Sequence, residues 1–441
     1  MDAINKAKGL LADWQGDAYV FGHGVVSQIG RLTKAFGDTT LVVTNGNAWL
    51  ARHLAILRGA LDEYGVTHRI VVGARPNAPR EDVYRVAMHI THHDPGSVVA
   101  LGGGSTIDAV KAASILAAYS PHEVESVLGV AWVDASTIDP YFGTGMVARM
   151  KAATGRAPAP VIAVQTAASS AAHLTKYSNV TDLISGQKKL IVDDSITPRA
   201  ALFDYAVTVG APRGLTVDGG LDGIAHSWEV LMGATGKNDY AKIEEVASTS
   251  IQLIVENLVT AVLQPHNLEA RTALGLGTDL GGYAIMLGGT SGAHLGSFSL
   301  VDVLSHGRAC GILNPYYTVL FAPRIQKQLG VLGALLQEAG YAETDLTGLE
   351  GRALGIAVAE GLVRFSKTLG VPTTLTETGA TRDYMDRMLQ AAKNPQLKMK
   401  LLNMPTPLDP DMGDVDIYMK SVLEAAFTGD FNVIKDVENR D

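Results

Sequence analysis

Short apolar runs and helical spacings alternate through the first half of the chain. Residues 40–44 form a compact β-branched run that stops at Asn45-Gly46-Asn47, the pattern of a buried strand entering a turn. Residues 48–64 carry helical spacing, 69–72 read as a second strand and 81–92 as a second helix. Residues 97–101 read as a third strand that runs straight into Gly102-Gly103-Gly104-Ser105, with a helix over 106–118. Apolar runs at 159–164 and 200–203 add two more strands, the first followed by the small-polar loop 165–172. This alternation predicts a parallel sheet with helices on its faces. Residues 119–158 hold Pro121, Pro140, Gly143, Gly145 and Pro158 and read as a long connection, a lid or an insertion.

Beyond residue 208 the period changes. Ile243, Ala247, Ile251, Ile254, Leu258 and Val262 recur at helical spacing. Similar patterns cover 268–289, 309–338, 351–370, 379–393 and 414–427, without a convincing alternating strand. Gly275, Gly277, Gly281, Gly282, Gly288 and Gly289 suggest helices packed at short distance. The expected organisation is an α/β domain over 1–208 and an all-α domain over 209–441.

Composition narrows the functional classes. The chain has 441 residues, 47% of them hydrophobic and 18% charged, a globular balance. The net charge is −9 and no Lys/Arg run stands out, which argues against nucleic acid as a partner. A single cysteine, Cys310, rules out a disulfide framework, fits a reducing cytoplasm and reads as a small core residue. Residues 1–14 lack the apolar run of a signal peptide. Residues 280–301 contain no Asp, Glu, Lys or Arg, yet their glycines and His294 read as packed protein rather than a membrane span.

Two stretches carry chemistry. Residues 220–229 read Gly-Leu-Asp-Gly-Ile-Ala-His-Ser-Trp-Glu within a helical segment that stops at Gly233. Asp222 and His226 are four apart, so they share one helix face and can hold a divalent cation between them. An Asp and a His so placed can equally form a surface ion pair. With His294 and His306 downstream, the set would be one oxygen and three nitrogen ligands, suited to zinc, iron or a similar metal. The second stretch is Gly102–Gly103–Gly104–Ser105, between a strand and a helix. It fits either a pyrophosphate cradle at a helix N-terminus or a tight turn.

The run Gly102-Gly103-Gly104-Ser105-Thr106-Ile107-Asp108-Ala109-Val110-Lys111 resembles the glycine-rich signature of the iron-containing (group III) alcohol dehydrogenase family. Residues 220–229 resemble that family's ligand-bearing helix, and Ser305-His306-Gly307 its last metal-ligand histidine region. The resemblance extends from Phe21-Gly22 to about Ile434. It implies a dinucleotide-binding α/β domain, a helical metal-binding domain in a dehydroquinate synthase-like architecture, and a cleft between them. It implies hydride transfer between a small alcohol or aldehyde and NAD(P), with Fe2+ or Zn2+ held by Asp222, His226, His294 and His306. Gly103, Gly104, Ser105 and Asp108 would serve the cofactor, Thr166 and Ser170 the nicotinamide side, and Lys188 a further cofactor contact. Asn45 stands where NAD-using members often carry an aspartate for the adenosine ribose. The implied protein is a cytoplasmic homodimer or higher homo-oligomer with no membrane partner.

The chain departs from the family pattern twice. Residues 165–173 replace the usual Pro-Thr-Thr-Ala-Gly-Thr-Gly-Ser-Glu. The penultimate ligand usually lies fourteen residues before the last, where this chain has Gly292; His294 is twelve before. His294 is the ligand across a small gap, or it matches a neighbouring site histidine and leaves one metal position empty. Two other readings remain: a dehydroquinate-synthase-like lyase using NAD transiently, and a metal-free relative that only binds.

Overall fold

The computed structural model describes residues 2–437. Two compact units emerge: Ala12–Pro212, and Arg213–Asp441 together with Met1–Leu11. The division expected at 208/209 thus falls at Pro212/Arg213, and the first eleven residues cluster with the helical unit.

The α/β unit is built on a parallel sheet of β1 (Tyr19–Gly22), β2 (Thr39–Thr44), β3 (Thr67–Val72), β4 (Ser97–Gly102), β6 (Val161–Gln165) and β9 (Ala200–Asp204), in the order β1-β9-β6-β4-β2-β3. The remaining strands, β5 (Gly143–Thr144), β7 (Tyr177–Asp182) and β8 (Gln187–Val192), make a small second sheet in which β7 and β8 pair as an antiparallel hairpin. The inner strands of the large sheet are buried on both faces. Leu41, Val43, Val98, Ala100 and Ala163 enter one core, while Val42, Val99, Leu101, Ile162 and Val164 enter the other. Side-chain alternation along each strand sorts these residues, and burial on both sides explains the unbroken apolar runs.

All five strands read from the pattern are present. β1 and the β7–β8 hairpin escaped it, since β1 is short and the hairpin strands carry polar residues. Residues 119–158 are not a loose connection. They form helices Pro121–Leu128, Trp132–Ala135 and Met146–Thr154. Pro121 opens the first of these, where the missing N–H costs nothing, behind a reciprocal Ser120–Glu123 capping box.

The helical unit centres on Arg213–Met232, Tyr240–Leu263, Leu268–Leu287 and His306–Phe321. The pattern over 309–338 is two helices, His306–Phe321 and Gln326–Glu338, separated at Ala322-Pro323-Arg324. Tyr240–Leu263 is long and apolar enough to cross a membrane. Its face bearing Ile243, Val246, Ala247, Ile251, Ile254 and Leu258 is nevertheless buried inside the unit.

Glycines set the helix spacing. A Cβ at Gly277 would sit 2.7 Å from Ile254 Cγ1, and one at Gly281 only 3.3 Å from the Gly223 carbonyl oxygen and from His226 Cβ. At Gly307 it would meet Asp222 Cβ at 2.9 Å. The helix carrying His306 therefore lies directly against the one carrying Asp222 and His226. Trp228 Nε1 pins the same pair by donating to Thr318 Oγ1 at 2.8 Å.

Candidate metal centre and dinucleotide site

Asp222 and His226 lie one turn apart on the Arg213–Met232 helix, which is buried without a break from Gly219 to Met232. His294 comes from the short helix Gly292–Ser297, and His306 opens the His306–Phe321 helix. The four side chains converge. Asp222 Oδ1 lies 3.6 Å from His226 Nε2, 3.6 Å from His294 Nε2 and 3.6 Å from His306 Nε2. Donors bonded at about 2.1 Å to a tetrahedral ion stand roughly 3.4 Å apart, so this spacing fits a shared cation. Asp222 Oδ1, His226 Nδ1 and His294 Nε2 are buried with no hydrogen-bond partner among the described residues. Burying a carboxylate costs several kcal/mol (order of magnitude), and a cation at its oxygen offsets that cost.

Neighbouring groups orient the imidazoles. His294 Nδ1 is 2.6 Å from Glu229 Oε1, and Glu229 Oε2 accepts from the Ser291 amide at 2.7 Å. Glu229 is itself fully buried. A carboxylate that accepts from Nδ1–H fixes the ring proton there and leaves the Nε2 lone pair facing the site. Ser297 repeats this at His306. Its Oγ donates its one proton to the His294 carbonyl at 2.7 Å, so it must accept from His306 Nδ1 at 3.0 Å.

Electrostatics follow burial. Burial opposes charge on Asp222, but His226 and His306 outweigh it and hold the carboxyl well below its usual range. Burial pushes His226 down to about 4, against the pull of Asp222. Lys400 is also buried, donates to Thr290 Oγ1 and sits 5.5 Å from the Phe298 ring centroid. Burial lowers its amine to about 8. Glu229, Ser297 and Lys400 are site residues that no sequence pattern singled out.

Position 292, where the family usually carries the penultimate ligand, is sterically closed. A Cβ at Gly292 would lie 2.6 Å from Tyr317 Cζ. The ring of Tyr317 fills that space, so this position has no room for a side chain, whereas His294 reaches the cluster. A second donor set overlaps the first: Asp222, His294, His306 and Cys310 present ligand atoms all within 4.8 Å of one another.

In the α/β unit, Asn45, Gly73, Gly103 and Thr166 follow the carboxyl ends of β2, β3, β4 and β6. The chain moves from β2 to β3 on one side and returns to β4 on the other. That reversal is where open α/β sheets bind ligands. β4 runs into the Gly104–Ala118 helix with Gly103 as its N-cap. A Cβ at Gly104 would meet Ser170 Cβ at 3.0 Å, which puts the 165–172 loop against the helix start. Thr166 is buried and its amide donates to the Gly102 carbonyl at 3.2 Å.

Ser105 and Lys188 meet through Asn77. Ser105 Oγ accepts from the Asn77 amide at 3.0 Å, and Lys188 Nζ donates to Asn77 Oδ1 at 3.2 Å. Asn77 has φ +65°, a conformation asparagine tolerates better than most residues. Asp108 is buried, and its carboxylate accepts from the Asn179 amide at 3.0 Å and side chain at 3.1 Å. Lys111, likewise buried, donates to the carbonyls of Ala172 (2.5 Å), Thr175 (2.7 Å) and Tyr177 (2.9 Å), tying down the chain after the 165–172 loop.

Asn45 is exposed and donates from Nδ2 to the Ala74 carbonyl at 2.7 Å. It lines a cavity of about 730 Å³ with Gly73, Arg75, Asp82, Arg85 and His89. Arg75 binds Asp82 through Nε at 3.0 Å. Neither Asn77 nor Arg75 was singled out from sequence. The turn signal in Pro76-Asn77 was available for the first; the second depends on how β2 and β3 align.

Two family profiles match this chain, iron-containing alcohol dehydrogenase over residues 17–205 and the C-terminal domain of the same family over 216–414. It is 26% identical to the NAD-dependent methanol dehydrogenase of Bacillus methanolicus across 85% of this chain and 91% of that one. Identity to the 1,3-propanediol dehydrogenase of Klebsiella pneumoniae is 24%, across 83% and 89%. An archaeal halo-thermophilic alcohol dehydrogenase from a Red Sea brine pool superposes with a TM-score of 0.77 at 21% identity, covering 93% of this chain and 97% of the other.

Proposed function

This chain belongs to the iron-containing alcohol dehydrogenase family, and from that premise we propose that Asp222, His226, His294 and His306 hold its divalent metal ion, iron or zinc. The protein is a metal-dependent oxidoreductase that moves a hydride between a small alcohol or aldehyde and NAD(P). When bound, the ion polarises the substrate oxygen as a Lewis acid and lowers the pKa of an alcohol. Glu229 and Ser297 keep the Nε2 lone pairs of His294 and His306 aimed at it. The observation that carries this reading is one buried, unpartnered carboxylate oxygen with three imidazole nitrogens each 3.6 Å away.

On the cofactor side, the amides at Gly103 and Gly104 serve the pyrophosphate at the helix N-terminus. Ser105, Asp108 and Lys188 support that end of the site, with Thr166 and Ser170 towards the nicotinamide. Asn45 meets the adenosine ribose. It is neutral and shares its cavity with Arg75, which supports a site that accepts NAD without excluding NADP. Homo-oligomeric assembly and a cytoplasmic location complete the reading.

The test is metal content. His306→Ala should fold, lose stoichiometric metal and lose activity by about 100-fold or more, since even outer partners of metal ligands are worth roughly 10–100-fold. Full metal occupancy in the folded variant would overturn the assignment. The same variant at His294 decides its role: retained metal with a reduced rate would make it a site histidine that is not a ligand.

A further inference from the structure

We propose that the sulfur of Cys310 is a further donor to the metal ion. The proposal rests on the assignment of the Asp222–histidine cluster as the metal site and extends its ligand set. Cys310 lies one turn after His306 on the same helix, so both side chains leave one face. That face is pressed onto the helix of Asp222: a Cβ at Gly311 would lie 3.1 Å from Leu221 Cδ1, and one at Gly307 2.9 Å from Asp222 Cβ. The thiol is fully buried, and Sγ stands within 4.8 Å of ligand atoms from Asp222, His294 and His306. Asp222 Oδ1 and His294 Nε2, both buried, have no hydrogen-bond partner among the described residues and lie 3.6 Å apart beside it.

Metal–sulfur bonds of about 2.3 Å and metal–nitrogen bonds of about 2.1 Å place two such donors about 3.6 Å apart on a tetrahedral ion. The widest pair of the group, at up to 4.8 Å, closes by about 1.2 Å when the ion binds. Coordination breaks the S–H bond, forms a sulfur–metal bond and releases the proton to solvent, so metal binding becomes more steeply pH-dependent. One consequence follows. A soft donor would tilt the site towards zinc and other thiophilic metals and away from iron.

The test uses the full-length protein reconstituted with cobalt(II). Visible ligand-field bands report cobalt in the Asp–His site, and a near-ultraviolet thiolate-to-cobalt charge-transfer band reports sulfur. Cys310 is the chain's single cysteine, so such a band has one source. The expected wild-type spectrum has both features. Cys310→Ser should keep the ligand-field bands, lose the charge-transfer band and bind cobalt at least about tenfold more weakly. Ligand-field bands without charge transfer in the wild type would overturn the sulfur ligand and leave the Asp–His site standing. Absence of both would overturn the site assignment and this extension together. The wild-type spectrum decides even if the variant fails to fold.

Discussion

At the scale of single residues, cofactor choice turns on what faces the adenosine ribose. Asn45 lacks the carboxylate that would repel a 2′-phosphate, and Arg75 brings a guanidinium to the same cavity. Asn45→Asp should shift the NAD/NADP ratio of kcat/KM towards NAD by about 1–3 kcal/mol, roughly 5- to 150-fold, the worth of a charge-assisted hydrogen bond. Arg75→Ala should lower kcat/KM with NADP more than with NAD. Unchanged ratios in both variants would mean that neither side chain faces the ribose. Asn45 was legible because it ends an apolar run. Arg75 was not: the loop after β2 holds no cation before Arg52, and Arg75 arrives from the end of the neighbouring strand. The metal cluster divides in the same way. Asp222 and His226 show in a helical spacing, whereas Glu229 on His294 and Ser297 on His306 are contacts that only the packed helices create.

At the scale of elements, the metal centre depends on how closely two helices approach. His306 is followed by a glycine that has no room for a Cβ against the Arg213–Met232 helix. Gly307→Ala must push the helices apart, at a cost of about 1–3 kcal/mol for overpacking. Metal affinity should fall with stability, although no ligand is altered. Unchanged metal affinity in isothermal titration would show that the approach does not position His306. Sequence pattern conveyed the helices and the glycine-rich packing but not the crossing. It also conveyed the five longest-patterned strands of the large sheet. The β7–β8 hairpin was hidden because it lies in the small second sheet and carries polar side chains such as Asn179 and Lys189. Its place becomes evident through Asp108, whose carboxylate ties the Gly104–Ala118 helix to Asn179.

At the scale of the whole molecule, each unit supplies one half of a hydride-transfer enzyme. In one, a parallel sheet reverses its strand order at the glycine turn, where we propose that the cofactor pyrophosphate binds at a helix N-terminus. In the other, glycine-spaced helices bring one carboxylate and three imidazoles around a common point. Family membership joins these parts into an alcohol dehydrogenase, and the central claim is that the ion sits among Asp222, His226, His294 and His306. Diffraction from metal-loaded crystals, collected at the absorption edge of the bound metal, tests this most directly. The account predicts one anomalous peak about 2.0–2.2 Å from Asp222 Oδ1 and from Nε2 of each of the three histidines. A peak elsewhere, or one that leaves any of the four beyond bonding distance, would contradict it.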